Sequence, residues 1–240
     1  MRLSFVIPAY NEEGYLGTCL ESVTKAIGDR WNDFEIIVVN NASSDNTAEI
    51  ASYFDHVTVI DEPRKGLSQA RQTGFKACTG ELIANVDADC LVPDEWLNTV
   101  LKKFESNPAM VALSGPHVFY DFPPLINRGI DMYYRFGFIG YLINRYVLRK
   151  GSLIQGGNFV IRKSSLEAIG GFNPAFTFYG EDADIAKRLS KVGDVVFTFQ
   201  LPMHTSARRL KTEGVLTMMI RYPINLLWTN LFGKPFTKTY

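Results

Sequence analysis

The sequence predicts an α/β fold, a single domain whose mostly parallel central sheet is flanked by helices. Three observations carry this. Short continuous apolar runs alternate with stretches of helical spacing through the first half of the chain, the pattern of strands covered on both faces by crossover helices. The 240 residues are 46% hydrophobic with no formal net charge, enough to bury one substantial core and too apolar for disorder. Polar segments follow three of the apolar runs directly, at the carboxyl ends of strands, where open sheets bind their ligands.

Leu3–Pro8 is too short for a helix and reads as the first strand. Tyr15–Ile27 repeats apolar residues at Leu16, Cys19, Leu20, Val23 and Ile27, one face of a helix. Phe34–Val39 is the second strand, Thr47–Phe54 a short helix and Val57–Ile60 the third strand. Leu67–Cys78 follows as a helix and Leu82–Val86 as the fourth strand. Pro93–Phe104 reads as a helix opened by proline, whose missing N–H is harmless there, and Val111–Ser114 as a strand. Pro123-Pro124 breaks the chain ahead of an aromatic-rich stretch from Leu125 to Lys150. Gly156–Ile161 reads as a strand, and Ser164-Ser-Leu-Glu167 has the form of a capping box that opens a short helix. Glu181–Val192 is an acid-started helix and Val195–Phe199 the last expected strand.

The polar strand ends are Pro8-Ala-Tyr-Asn-Glu12, Asn40-Asn-Ala-Ser-Ser-Asp45 and Asp87-Ala-Asp89. Two carboxylates flanking a small residue suit a hard divalent cation, Mn²⁺ or Mg²⁺, which binds through one or two carboxylates plus substrate phosphates. Neither GxGxxG nor GxxxxGK[ST] occurs, which argues against a dinucleotide enzyme and a P-loop NTPase. Five segments come in order: Val6–Glu13, Val39–Thr47, Gly66–Gly74, Asn85–Asp89 and Gly180–Asp184. Together they resemble family 2 glycosyltransferases with the GT-A fold, over about residues 1–205. The resemblance implies a Rossmann-like sheet in a catalytic domain of residues 1–212, with a donor half at 1–115 and an acceptor half at 116–212. Residues 213–240 would be an amphipathic, basic extension.

The resemblance also implies roles. Pro8, Ala9, Tyr10 and Glu12 match the loop that holds the base and ribose of a nucleotide-diphospho-sugar. Asn40-Asn-Ala-Ser43 stands where the family has Asp-Asp-Gly-Ser, so Asn40 would meet the base with an amide able to accept and donate. Asp45 either caps the following helix or contacts ligand. Arg71 contacts the nucleotide or braces the D-x-D loop. Asp89 is the direct metal ligand, and Asp87 contacts the ribose or the metal through water. Asp182 is the general base of an inverting transfer, with Glu181 beside it. Gly157 and Asn158 belong to the acceptor segment. His204 completes the metal site, and Arg208 and Arg209 face the diphosphate.

Lys+Arg number 9 against 17 Asp+Glu in residues 1–120, and 16 against 8 beyond. The basic second half suits a phosphate-bearing substrate or an anionic membrane surface. Leu125–Lys150, with Arg128, Arg135, Arg145 and Arg149 among aromatic residues, and Val215–Phe232 read either as interfacial helices or as packing against the sheet or a second copy. The expected acceptor is a glycan or lipid-linked molecule, and no nucleic-acid partner is implied. Cys19, Cys78 and Cys90 lack metal or disulfide spacing, and the first residues run straight into a strand, so a cytoplasmic protein, peripheral at the inner membrane face, is expected. Two rivals stand beside the transferase: a catalytically silent nucleotide-sugar-binding protein and a sugar nucleotidyltransferase, the latter without its Gly-rich basic signature here.

Overall fold

A computed structural model describes residues 1–142, 153–176, 179–234 and 236–237. Its elements in chain order are β1 (Leu3–Ala9), α1 (Leu16–Ile27), β2 (Phe34–Asn40), α2 (Thr47–Ser52), β3 (Val57–Asp61), α3 (Leu67–Ala77), β4 (Leu82–Val86) and β5 (Cys90–Leu91). There follow α4 (Trp96–Ser106), β6 (Met110–Ser114), β7 (His117–Phe119), α5 (Pro124–Leu142), β8 (Asn158–Arg162) and α6 (Lys163–Ala168). The last are α7 (Glu181–Leu189), β9 (Asp194–Phe197), β10 (Met203–Thr205), α8 (Arg208–Glu213) and α9 (Val215–Phe232).

Among the described residues a seven-stranded sheet runs in the order β3-β2-β1-β4-β8-β6-β9. All its pairs are parallel except those of β8 with β4 and β6. Side-chain alternation splits the core into two. Phe5, Ile7, Ile36 and Val38 face one cluster with α1 and α4; Val6, Ile37 and Val39 face the other with α3 and α7. The antiparallel course of β8 was not foreseen, and it matters for the site. It pairs Val86 at the end of β4 with Asn158 at the start of β8, so Gly157 arrives beside Asp87.

Several boundaries differ from the sequence reading. The expected helix at Pro93 starts at Trp96, whose N–H bonds to the Pro93 carbonyl. The capping box does not form: α6 already starts at Lys163, which places Ser164 inside the helix with no side-chain cap. Pro124 opens α5 instead of only breaking the chain. A second sheet, β5-β10-β7, was missed, and β10 follows the strand expected to be last. Its strands have two or three residues, too few to show a period. The expected extension from residue 213 packs onto the domain, where α9 buries Met218, Asn225 and Thr229. No described helix is long and apolar enough to cross a membrane.

Candidate active site

The carboxyl ends of β1, β2 and β3 lie in register, with Ala9 opposite Asn40 and Asn40 opposite Asp61. Pro8 and Ala9 are buried in β1, and Tyr10 emerges from its end 45% exposed. Pro8 lies past Val6, the last β1 residue paired with β4, so its missing N–H removes no bond on that side. Next to β1, the β4 strand delivers Asp87 and Asp89.

Two arginines organise the carboxylates here. Arg71, on α3, is fully buried over the Phe159 ring. It donates to Asp87 Oδ1 at 2.9 Å and forms a short ion pair with Glu181 at the start of α7. Arg208, at the start of α8, donates from Nε to Asp89 Oδ2 at 3.1 Å, pairs closely with Glu12 and lies over the Tyr15 ring. Arg71 therefore ties the D-x-D loop to the E-D pair, and Arg208 ties it to the β1 loop. Asp121 sets the position of Arg208 by accepting from the Ala207 N–H at 2.6 Å and from Ser206 Oγ at 3.2 Å.

Glu12, Asp87, Asp89, Glu181 and Asp182 thus share the site with two guanidinium groups. Burial holds several of these carboxyls above their usual range. Burial, then the neighbouring Asp87, pushes the Asp89 carboxyl up to about 7 against the pull of Arg208. Burial raises Glu12 against the hydrogen bond from Arg208, raises Glu181 against Arg71, and raises Asp182 against the Ala183 N–H. Burial alone would lower the Arg71 guanidinium; Glu181 and Asp87 outweigh it and hold it charged.

Gly157 is required by this packing. Its φ is +72°, and a Cβ there would lie 2.4 Å from Asp87 Oδ2 and 2.5 Å from its Cγ. Asn158 corrects the sequence reading. It is fully buried, accepts from Trp96 Nε1 at 2.9 Å and donates to the carbonyl of Leu201 at 2.8 Å, so its amide is consumed by the core and does not face an acceptor. Glu181 is buried and paired with Arg71. Arg209 turns to Glu213 and the Tyr179 hydroxyl instead of the D-x-D loop.

His204 also departs from expectation. Met203 and Thr205 are buried and His204 between them is exposed, as strand alternation requires. Among the described residues no three His, Cys, Asp or Glu side chains converge on one cation position. Asp45 is not the N-cap of α2, which is Asn46 without a side-chain cap; it folds an Asx turn onto the Thr47 N–H at 3.0 Å and accepts from the Glu13 N–H at 3.1 Å. Asn40 spends one donor and one lone pair of its amide at the sheet edge. Its Oδ1 accepts from the Ser43 N–H at 3.2 Å and its Nδ2 donates to Asp61 Oδ1 at 2.8 Å. Ala42 holds φ +58°, where the family has glycine. Sequence reasoning missed Asp61, Asp121 and Tyr15, none of which lies in a recognisable motif.

The family model for glycosyl transferase family 2 matches residues 4–170, and that for the N-terminal domain of galactosyltransferase matches residues 144–211. The chain belongs to glycosyl transferase family 2. The glycosyltransferase AglE of Haloferax volcanii is 28% identical over 80% of this chain and 62% of its own length. GlyA of Streptococcus pneumoniae is 33% identical over 49% of this chain and 17% of its own length. The chain thus spans less than two thirds of these relatives. A Pyrobaculum calidifontis mannosyltransferase, solved with GDP-Man and Mn2+, superposes with a TM-score of 0.71 at 18% identity, covering 98% of this chain and 65% of that one. S. aureus TarS 1-349 in complex with UDP-GlcNAc gives 0.66 at 17% identity, covering 87% of this chain and 59% of that one. These likenesses establish the GT-A fold.

Proposed function

We propose that this family 2 chain transfers a sugar from a nucleoside diphosphate sugar to an acceptor hydroxyl, with inversion, using Asp182 as general base. The observation that carries the reading is the Arg71 bridge. It holds the E-D pair of α7 against the D-x-D loop, so one buried cation links the expected base to the expected diphosphate site. Asp182 is raised by burial, which makes its carboxylate a stronger proton acceptor at neutral pH. In the transfer the acceptor oxygen bonds to the anomeric carbon as the bond from that carbon to the phosphate oxygen breaks. The hydroxyl proton passes to Asp182, and the electron pair leaves with the diphosphate.

A divalent cation fits the donor set. Arg71 and Arg208 each hold one oxygen of the D-x-D pair, Asp87 Oδ1 and Asp89 Oδ2, which leaves the second oxygen of each carboxylate to a hard cation. Glu12 Oε2 is buried nearby without a hydrogen-bond partner. Mn²⁺ or Mg²⁺ held by Asp87 and Asp89 supplies charge neutralisation for a diphosphate. Arg208, with donors beyond those it gives to Asp89 and Glu12, adds charge-assisted hydrogen bonds to the phosphates. Asp182→Asn keeps the shape but cannot take the proton. Turnover is expected to fall by about 10²–10⁴-fold with Mn²⁺-dependent nucleotide affinity within a few-fold of wild type. Near-normal turnover would reject the assignment. Wild-type protein that binds nucleotide sugar with Mn²⁺ but neither transfers nor hydrolyses it would favour the silent binding protein.

The acceptor side favours a lipid-linked substrate reached by peripheral contact. On α5, Leu125, Met132, Phe136 and Ile139 are 55–78% exposed. On α9, Leu216 and Ile220 are 73% and 55% exposed, and the Tyr133 hydroxyl bonds to the Met219 carbonyl, which joins the two helices. Exposed apolar side chains on adjacent helices suit a bilayer interface. Arg145 and Arg149, expected to add anionic-lipid contacts, lie outside the described residues. Phe136→Ser/Ile139→Ser is expected to reduce sedimentation with vesicles and leave nucleotide affinity unchanged. Absence of vesicle binding by the wild type at any salt would reject the membrane reading and leave packing or self-association.

A further inference from the structure

Two arginines hold the D-x-D pair, and they differ in how firmly they are fixed. Arg71 exposes no side-chain surface and is locked between Asp87 and the buried Glu181, so its departure would strand Glu181 as an unpaired buried carboxylate. Arg208 is 38% exposed and reaches the site from the first turn of α8. The start of that helix is fastened by Asp121, which accepts from the Ala207 N–H, Ser206 Oγ and Lys211 Nζ. Arg208 Nε donates to Asp89 Oδ2 at 3.1 Å, its Nη2 pairs closely with Glu12, and the guanidinium lies 4.6 Å from the Tyr15 ring. Asp89 and Glu12 expose only 16% and 13% of their side chains, so salt screens this pairing weakly.

We propose that Arg208 is an exchangeable counter-ion: it guards Asp89 and Glu12 against a free divalent cation, and it gives them up when a diphosphate arrives to take the guanidinium instead. The proposal rests on the nucleotide-sugar reading and goes beyond it, because it sets the order of binding. The cation enters with the diphosphate and not ahead of it. The ground is competition for one carboxylate. The second oxygen of Asp89 is open to a cation, but the guanidinium on the first oxygen draws off part of the charge and opposes a like charge beside it. A diphosphate reverses the balance. It offers the guanidinium several charged oxygens that match its planar fork, and once Arg208 turns to them, both carboxylates are returned to the cation. Glu12 is prepared for this, since its Oε2 is buried with no hydrogen-bond partner among the described residues. Arg208 can turn because it is part-exposed and leaves no carboxylate stranded.

The test is Mn²⁺ binding to the full chain, read from the electron paramagnetic resonance signal of free Mn²⁺, with and without saturating GDP or UDP, for wild type and Arg208→Gln. Wild type should bind Mn²⁺ alone weakly and much more tightly with nucleotide. Arg208→Gln should bind Mn²⁺ alone about 10- to 100-fold more tightly than wild type, the usual range of a coupling between two sites, and nucleotide should then add less. A side chain that only supported the fold would not raise metal affinity on removal. Circular dichroism checks that the variant folds. Should it not, Asp121→Asn, which loosens the start of α8 and keeps the guanidinium, should tighten Mn²⁺ alone by a few-fold. Mn²⁺ affinity that is unchanged or weaker in the folded variant, or wild type that binds Mn²⁺ equally well with and without nucleotide, overturns the proposal; nucleotide binding by that same wild type leaves the parent reading standing. A wild type that binds neither GDP nor UDP with Mn²⁺ overturns both.

Discussion

Replacing Arg71 with methionine tests the central brace. Arg71 has no exposed surface, Glu181 exposes 4% of its side chain and Asp87 35%. Methionine fills similar space against Phe159 but leaves Glu181 as a buried carboxylate with no counter-ion. Breaking such a pair from one side costs about 3–5 kcal/mol, and nearly all of it should come from Glu181, because Asp87 can turn to water. The loss should also depend on pH. Burial already raises Glu181 from its usual value of 4.5 while Arg71 opposes; without Arg71 the folded-state value rises further. A carboxyl whose folded value exceeds its unfolded one keeps its proton better when folded. Stability therefore falls as pH rises from the unfolded toward the folded value. The gap between Arg71→Met and wild type should be widest at about pH 7 and narrower at about pH 5. Urea denaturation at both pH values provides the measurement, together with Arg71→Met/Glu181→Gln, which removes the stranded charge and should recover more than half of the loss. A single variant within about 1 kcal/mol of wild type, or a double variant no more stable than the single one, would refute the argument.

Two other perturbations follow from the packing. Gly157→Ala places a Cβ against Asp87 and an L-residue at positive φ, which costs about 1–2 kcal/mol; Mn²⁺-dependent nucleotide binding should be lost along with it, and retention of binding would show that Asp87 is not held by that contact. His117 has a buried Nε2 without a partner and is pulled down to about 4 by burial, with Asp87 opposing. Because the unfolded chain then binds more protons between about 4 and 6.5, acidification through that window should remove up to roughly 3 kcal/mol of stability. His117→Asn should flatten that slope in urea midpoints measured across the window, and an unchanged slope would assign it to other groups.

The donor half was legible in the sequence because it is local. The strands β1 to β4 are continuous apolar runs whose period and length announce them, and the polar residues at their ends, Glu12, Asn40, Asp87 and Asp89, follow within a few positions. Asp45 is local too: it folds an Asx turn onto the Thr47 N–H two residues on and accepts from the Glu13 N–H. The E-D pair could be read as the start of a helix because acids favour that end.

What the sequence could not determine was how charges distant along the chain are paired. Arg71 meets Glu181 across 110 positions and Arg208 meets Glu12 across 196; such pairs depend on which helix lands on which strand end, and no local period encodes that. The antiparallel course of β8 belongs to the same class, since an apolar run looks alike in either direction, yet it sets Gly157 beside Asp87. It also turns Asn158 inward, where Trp96 and the Leu201 carbonyl consume its amide. By itself the sequence determined the family, the order of the strands of the main sheet and the residue types at their ends, because the pattern of each strand depends on neighbours within a few positions. Tertiary structure alone decided which of those residues are paired with each other, because a buried polar group must find its partner wherever the fold brings one within hydrogen-bond reach.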